Sequence, residues 1–326
     1  YLNEATEIVY KYKSDISDGL LYLLLYTQKG NTYNNSAITI SKFNNEKITR
    51  QSLDKRSSLI KLNHLNKINN QFYNTFLSNF ESEFNITDGI SINVYDDKED
   101  KGYKKVLLLS LVDSKNCPQE LHINKDIYKS EITLFYDLLE KDHYDTKKTF
   151  IFDALYFSDK LTNKFYNKQL TFISRMKNNS SYLNKFNIEL LKNNFIDDYE
   201  VTNKNNNKIR IINYKVNNKV FHIATNLLDK QKYQVSYFKD AYKKRWDVEL
   251  YIKITKANTN LETTKTKNEI KLELITKSIL LVTMIYNYFI CLYKKYSKTT
   301  KKINNSQFIK SFYSDLICKV IKGKFN

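Results

Sequence analysis

Phe84-Asn85-Ile86-Thr87-Asp88-Gly89-Ile90-Ser91-Ile92-Asn93-Val94 alternates with the period of a half-buried strand, and Asp88 takes a place in the apolar series Ile86, Ile90, Ile92, Val94. Working outward, Val106 to Val112 reads as a buried run and Leu121 to Ile123 as a third short strand, which together make a meander. Ser130 to Lys141 repeats Ile132, Phe135, Leu138 and Leu139 at helical spacing. Thr149-Phe150-Ile151-Phe152 is an apolar strand that ends at Asp153. Lys160 to Tyr166 then reads as a helix and Leu170 to Ser174 as another strand. The order β-β-β-α-β-α-β predicts a mixed sheet with helices against it, an α/β (α+β) fold.

Downstream, Asn178 to Asn218 is Asn-rich and polar but holds a strand-like piece at Lys208 to Val216, with another at Val220 to Thr225. The persisting alternation predicts a β-rich insertion rather than a linker. Ser236 to Asn258 reads as one long charged helix and Ile270 to Tyr296 as a second with an apolar face. Upstream, Ile8, Tyr12, Ile16, Leu20 and Leu24 are spaced near one helical turn until Gly30-Asn31 breaks the pattern. Ser36 to Phe43 follows, and Thr49 is a candidate N-cap for a second short helix carrying Arg50, Gln51, Lys55 and Arg56. Two short helices joined by a polar turn suit a helix-turn-helix; a small bundle with a solvated basic face is the plainer alternative.

The chain has 326 residues, of which 41% are hydrophobic and 27% charged, which excludes a mostly disordered or collagen-like chain. Its formal net charge of +18 makes a polyanion the first partner to consider. Abundant Lys, Asn, Ile, Tyr and Phe also suit AT-rich codons, which discounts the lysines. The scarce arginines, Arg50, Arg56, Arg175, Arg210 and Arg245, carry more information, because a planar fork of donors is hard to replace. Cys117, Cys291 and Cys318 are far apart in sequence and support neither a disulfide framework nor a zinc site. The apolar run Ser278 to Tyr293 falls short of the roughly 20 residues that span a bilayer and reads as a buried helix. No signal peptide is visible, so an intracellular protein with no membrane partner is expected.

The stretch richest in chemistry is Tyr242-Lys243-Lys244-Arg245-Trp246-Asp247-Val248-Glu249-Leu250-Tyr251-Ile252-Lys253-Ile254-Thr255-Lys256. On one continuous helix, about 100° per residue puts Tyr242, Arg245, Glu249 and Lys256 within roughly a 60° arc. Cations on such a stripe suit phosphates and the acid suits a divalent metal. A surface ion pair between Arg245 and Glu249 is the plain alternative, and Trp246 taken alone reads as a core anchor.

Tyr-x-x-Arg-x-x-x-Glu-x-x-x-x-x-x-Lys resembles the signature around the third catalytic acid of the IS4-type DDE transposases. Thr87-Asp88-Gly89 is similar to that family's first acidic element and Phe150-Ile151-Phe152-Asp153 to its second, while Thr171-Phe172-Ile173-Ser174-Arg175-Met176-Lys177 looks like the passage that follows. Two departures stand out: Leu155 replaces a common Gly, and Ile90 a common small hydroxyl residue. The resemblance implies a ribonuclease-H-like core over 81–177 and 231–300, a β-rich insertion over 178–230, a helical, helix-turn-helix-like DNA-binding domain over 1–80 and a C-terminal helical tail over 301–326. Among the acids, Asp96, Asp97, Asp100 and Asp113 are the local alternatives to Asp88, but the first three fall in a charged turn.

The resemblance further implies that Asp88, Asp153 and Glu249 hold two Mg²⁺ or Mn²⁺ ions for strand cleavage and strand transfer on double-stranded DNA. It also implies a homodimer that pairs the element's ends in a synaptic complex. Tyr242, Arg245, Trp246, Lys256, Arg175 and Lys177 would contact DNA near the site, and Arg50, Gln51, Lys55 and Arg56 would do so in the N-terminal helices. A captured, transposase-derived DNA-binding or structural protein and a plain metal-dependent nuclease are the rival readings.

Overall fold

The computed structural model describes residues 14–78, 80, 82–95, 103–113, 117–124, 130–141, 144–183, 196–217, 219–264, 266, 268–297 and 307. The expected tail over 301–326, apart from Gln307, and Ile8, Tyr12, Asp96, Asp97, Asp100 and Cys318 lie outside them. Strands β1 (Phe84–Tyr95), β2 (Tyr103–Asp113) and β3 (Pro118–Asn124) form the expected antiparallel meander. Helix α5 (Glu131–Lys141), strand β4 (Thr149–Phe152), helix α6 (Asp159–Asn167) and strand β5 (Thr171–Arg175) follow in the order the sequence predicts.

β4 lies parallel to both β1 and β5, so it is central and covered on both faces. That position explains its unbroken apolar run, since every side chain has a face to bury. Phe150 and Phe152 pack on one face with Phe135, Leu139, Phe165 and Phe172 from α5, α6 and β5. Ile151 packs on the other with Phe84, Ile86 and Ile173.

The polar region beyond β5 does not fold as a separate unit. Its strands β6 (Asp197–Thr202), β7 (Lys208–Val216) and β8 (Lys219–Thr225) continue the same sheet in the order β3-β2-β1-β4-β5-β8-β7-β6. Buried Arg210 secures this extension through two hydrogen bonds to Asp198, at 2.9 and 2.7 Å, and one to the Tyr233 carbonyl at 2.8 Å. Its guanidinium therefore serves the fold, not an external anion.

The predicted long charged helix is two helices, α7 (Val235–Lys243) and α8 (Trp246–Asn258), separated at Lys244-Arg245. The amides of Lys244, Arg245 and Asp247 each donate to the carbonyl three residues back, at 3.0, 3.1 and 2.8 Å, which tightens the turn and redirects the chain. Both helices cover the sheet face opposite α5 and α6, where Phe238, Tyr242, Val248 and Tyr251 join the Ile86–Ile151–Ile173 cluster.

The third apolar cluster joins the first described helices to the last long one. Helices α1 (Ser14–Tyr26), α2 (Tyr33–Asn44), α3 (Arg50–Ser58) and α4 (Leu62–Phe72) pack on α9 (Glu269–Tyr296) and on Ile92, Cys117 and Leu121 beside the sheet. Thr49 caps α3 as predicted, accepting from the Ser52 amide at 3.2 Å. Helix α9 has the length and composition to cross a bilayer, but most of its residues from Leu272 to Cys291 are buried inside the molecule. Cys117 and Cys291, distant in sequence, meet in this cluster with their sulfurs 3.9 Å apart.

Candidate active site

The register of the central strands juxtaposes the first two candidate acids. Ile86 is paired with Ile151 across the parallel β1–β4 ladder, so two residues further on Asp88 runs beside Asp153 at the carboxyl end of β4. Asp88 Oδ1 accepts from the Gly89 amide at 2.9 Å. Asp153 Oδ1 accepts from the Leu155 amide at 2.8 Å, and its carbonyl accepts from Ser174 Oγ at 3.1 Å. Each carboxylate is thus held by a backbone amide one or two residues further along its own chain segment, and the Ser174 hydroxyl of β5 ties the Asp153 backbone to the sheet.

Glu249 approaches from α8, which lies along β1 and β2. Burial of Val248 and Tyr251 leaves Glu249, between them, at the margin of the sheet. Asp88 and Glu249 line one open cleft of about 830 Å³ with Gly89, Ser91, Ile252, Ala257, Glu262 and the ammonium groups of Lys29, Lys253 and Lys256. Asp153 does not line that cleft, yet its charge reaches Asp88. Burial pushes the Asp88 carboxyl up to about 6; the Gly89 hydrogen bond opposes the shift, Asp153 and Glu249 add to it, and Arg245 lowers it.

The three carboxylates share one electrostatic field without forming a closed cage. Among the described residues no group of three His, Cys, Asp or Glu side chains converges to metal-ligating distance. Glu249 is instead ion-paired with Arg245. The acids raise one another's carboxyls, and the nearby guanidinium gives Glu249 an opposite charge. The donor set nevertheless fits a hard divalent cation: it is all carboxylate oxygen, and burial raises the carboxyl of Asp88, a cost that a cation would offset.

The broken helix changes the reading of the basic stripe. Tyr242 belongs to α7, is only 7% exposed, and packs edge-on against Phe221 beneath Arg245 and Arg175, so its phenol is not presented to an incoming phosphate. Arg245 sits at the start of α8 with its guanidinium 5.3 Å from the Trp246 ring centre. Trp246 is no core anchor: it is 64% exposed, beside exposed Leu250. Lys256 pairs with Glu262 at 2.8 Å on the cleft wall. Arg175 lies 5.3 Å over Phe221, and Lys177 lines a second hollow with Ala154, Phe157 and Ser158, just past Asp153.

In the N-terminal helices Arg50, Gln51 and Lys55 are exposed on α3, although Arg50 pairs with Asp54 at 3.4 Å. Arg56 bonds buried Asp18 at 2.9 Å, which makes it part of the packing between α1 and α3. Asp113 caps the turn between β2 and β3, accepting from the Cys117 amide at 3.0 Å, and is remote in role from Asp88.

Two residues in or beside this site escape the sequence reading. Lys29 follows α1 and reaches the cleft because its amide donates to the Asn258 carbonyl at 2.9 Å and Gln28 bridges Thr259. Glu131, the first residue of α5, comes up against Gly89 from the other side of the sheet. Neither belongs to a local motif; the only signal nearby is the Gly30-Asn31 helix break.

Comparison with solved structures aligns the chain with the cryo-EM structure of a piggyBac transposase synaptic complex with hairpin DNA. The TM-score is 0.50 at 11% identity, over 98% of this chain and 77% of that one, which is a likeness of fold. Comparison with curated proteins returns no match. The family described as transposase DDE domain matches residues 79–288, from just before β1 well into α9, and so takes in all three candidate acids. With well over half of its residues inside that match, the chain belongs to the transposase DDE domain family.

Proposed function

We propose that this chain is an IS4-type DNA transposase in which Asp88, Asp153 and Glu249 are the catalytic acids. The observation that carries the reading is the placing of two acids on adjacent parallel strands and a third on the helix across them, at a cleft edged by lysines. Asp88, Asp153 and Glu249 would hold two Mg²⁺ or Mn²⁺ ions, which supply Lewis-acid activation of the attacking oxygen and neutralise charge on the leaving one.

Lys29, Lys253 and Lys256 hold the DNA backbone along the cleft as point charges. Arg245 offers a planar fork to a phosphate; a phosphate that takes the guanidinium frees Glu249 to turn toward Asp88. The exposed indole of Trp246 stacks on a base displaced at the cleavage point. Attack of water on phosphorus breaks the P–O3′ bond and leaves a 3′-hydroxyl. That hydroxyl then attacks a second phosphodiester, on the opposite strand or in target DNA, so that one P–O bond forms as another breaks. In the N-terminal helices, exposed Arg50, Gln51 and Lys55 on α3 are placed to meet the duplex outside the cleft. The working unit is a homodimer on paired ends.

The test uses a duplex carrying the DNA that flanks the chain's own coding sequence, with Mn²⁺. Wild type is expected to cut at discrete positions and leave 3′-hydroxyl ends. Glu249→Gln should slow cleavage on the order of 100-fold or more while leaving duplex affinity nearly unchanged. Equal loss of cutting and binding would make Glu249 a structural residue and remove it from the chemistry.

A further inference from the structure

Glu131 has no part in the three-acid reading, yet its carboxylate lies against Gly89, the residue next to Asp88. A Cβ built on Gly89 would lie 1.8 Å from Glu131 Oε2 and 2.9 Å from its Cδ. A side chain at residue 89 would have to push the Glu131 carboxylate aside. Burial, followed by the charges of Asp88 and Asp153, pushes the Glu131 carboxyl up to about 7.

Tyr156 closes the far side. It is fully buried, and its hydroxyl is turned to the Glu131 carboxylate, with which it shares a hydrogen bond. The phenol lies in the field of Glu131, Asp88 and Asp153, and burial together with these charges drives its pKa far up. A buried phenol that donates to Glu131 fixes the direction in which that carboxylate is held, beside Asp88 and Asp153.

An acid in the first turn of a helix also favours the helix dipole, and that role needs no further partner. It is served equally well from the solvent side, however, and does not account for a carboxylate turned inward onto Gly89 beneath two others. Among the described residues no Lys or Arg pairs with it.

We propose that Glu131 is a fourth acidic residue of this centre: its carboxylate faces the divalent cation held by Asp88 and Asp153, and Gly89 lacks a side chain so that it can approach. The inference rests on the metal-site reading given above. Its distinguishing feature is that an acid from α5, on the opposite face of the sheet from Glu249, shares the same ions.

The test is Mn²⁺ binding to the full chain, followed by the electron paramagnetic resonance signal of free Mn²⁺ near neutral pH, without DNA. Glu131→Gln should weaken binding ~10–100-fold. Gly89→Ala, which displaces the carboxylate, should weaken it comparably and add little on top of Glu131→Gln, because both remove one interaction. Unchanged Mn²⁺ affinity in Glu131→Gln, with affinity lost in Asp88→Asn, would overturn the inference and leave the three-acid site standing. Unchanged affinity in both would overturn the metal-site reading and this inference with it. Should Glu131→Gln fail to fold, Glu131→Asp, with its carboxylate one methylene further back, is read by the same criterion.

Discussion

Asp88 and Glu131 resist ionisation where they stand, and the resistance has a sign that can be measured. Their carboxyls are raised to about 6 and about 7, above the usual 3.8 and 4.5, by burial first and by neighbouring acids next. Between the ordinary and the raised values the folded chain holds protons that the unfolded chain has released, so the stability these groups contribute at low pH is lost as pH rises through 6 and 7. In EDTA, the melting temperature of wild type relative to the Asp88→Asn, Glu131→Gln double variant should therefore fall from about pH 5 to about pH 7.5. A flat difference would show that burial and the neighbouring acids do not raise these two carboxyls. Arg245 belongs to the same scale: its pairing with Glu249 sets an opposite charge against the third acid, and its charge also lowers the Asp88 carboxyl.

At the scale of elements, the cleft depends on a join between the loop after α1 and the end of α8. Asn260, only 3% exposed, makes that join with one side chain. Its Nδ2 donates to the carbonyls of Tyr26 and Asn31 at 2.6 and 3.0 Å, and its Oδ1 accepts from the Gly30 amide at 3.0 Å. Gly30 adopts a φ of 76°, the left-handed geometry that lets the chain turn there and leaves Lys29 at the cleft. Asn260→Ala strands buried polar groups at both ends of the join and should cost about 2–4 kcal/mol, read from urea unfolding. A loss below about 1 kcal/mol would mean that the apolar cluster holds these elements together unaided. The break between α7 and α8 matters in the same way, because it sends Tyr242 into the core and leaves Arg245, Trp246 and Glu249 at the surface.

For the molecule as a whole, a net charge of +18 makes DNA affinity a function of salt. Much of that charge is scattered, so the informative lysines are those the fold gathers at the cleft. Replacing Lys29 and Lys253 by Ala should reduce the slope of log affinity against log salt by about 2 and weaken binding alike for all sequences, as expected for phosphate contacts. An unaltered slope, measured by fluorescence anisotropy on duplex DNA, would place the bound backbone elsewhere. The same architecture explains the molecule's long internal helix. Covering α9 with α1, α4 and the sheet margin buries an apolar surface that would otherwise suit a bilayer.

Local periodicity determined the elements from β1 to β5. Strand alternation and helical spacing are properties of neighbouring residues, and Asp88 could be picked from its place in the apolar series of β1. The juxtaposition of Asp88 with Asp153 followed once β1 and β4 were known to be parallel neighbours. Other features depended on contacts between residues far apart in sequence. The polar strands β6 to β8 joined the main sheet because β8 pairs with β5. The predicted long helix breaks at Lys244-Arg245, where successive amides bond carbonyls three residues back, and both halves then pack on one sheet face. Arg56 reads as a surface cation until Asp18 is seen beside it, and Trp246 reads as core until its neighbours are seen to be solvent. Glu131 and Lys29 were decided by tertiary structure alone: each reaches the site through packing across the sheet or a loop join, and no spacing along the chain encodes either approach.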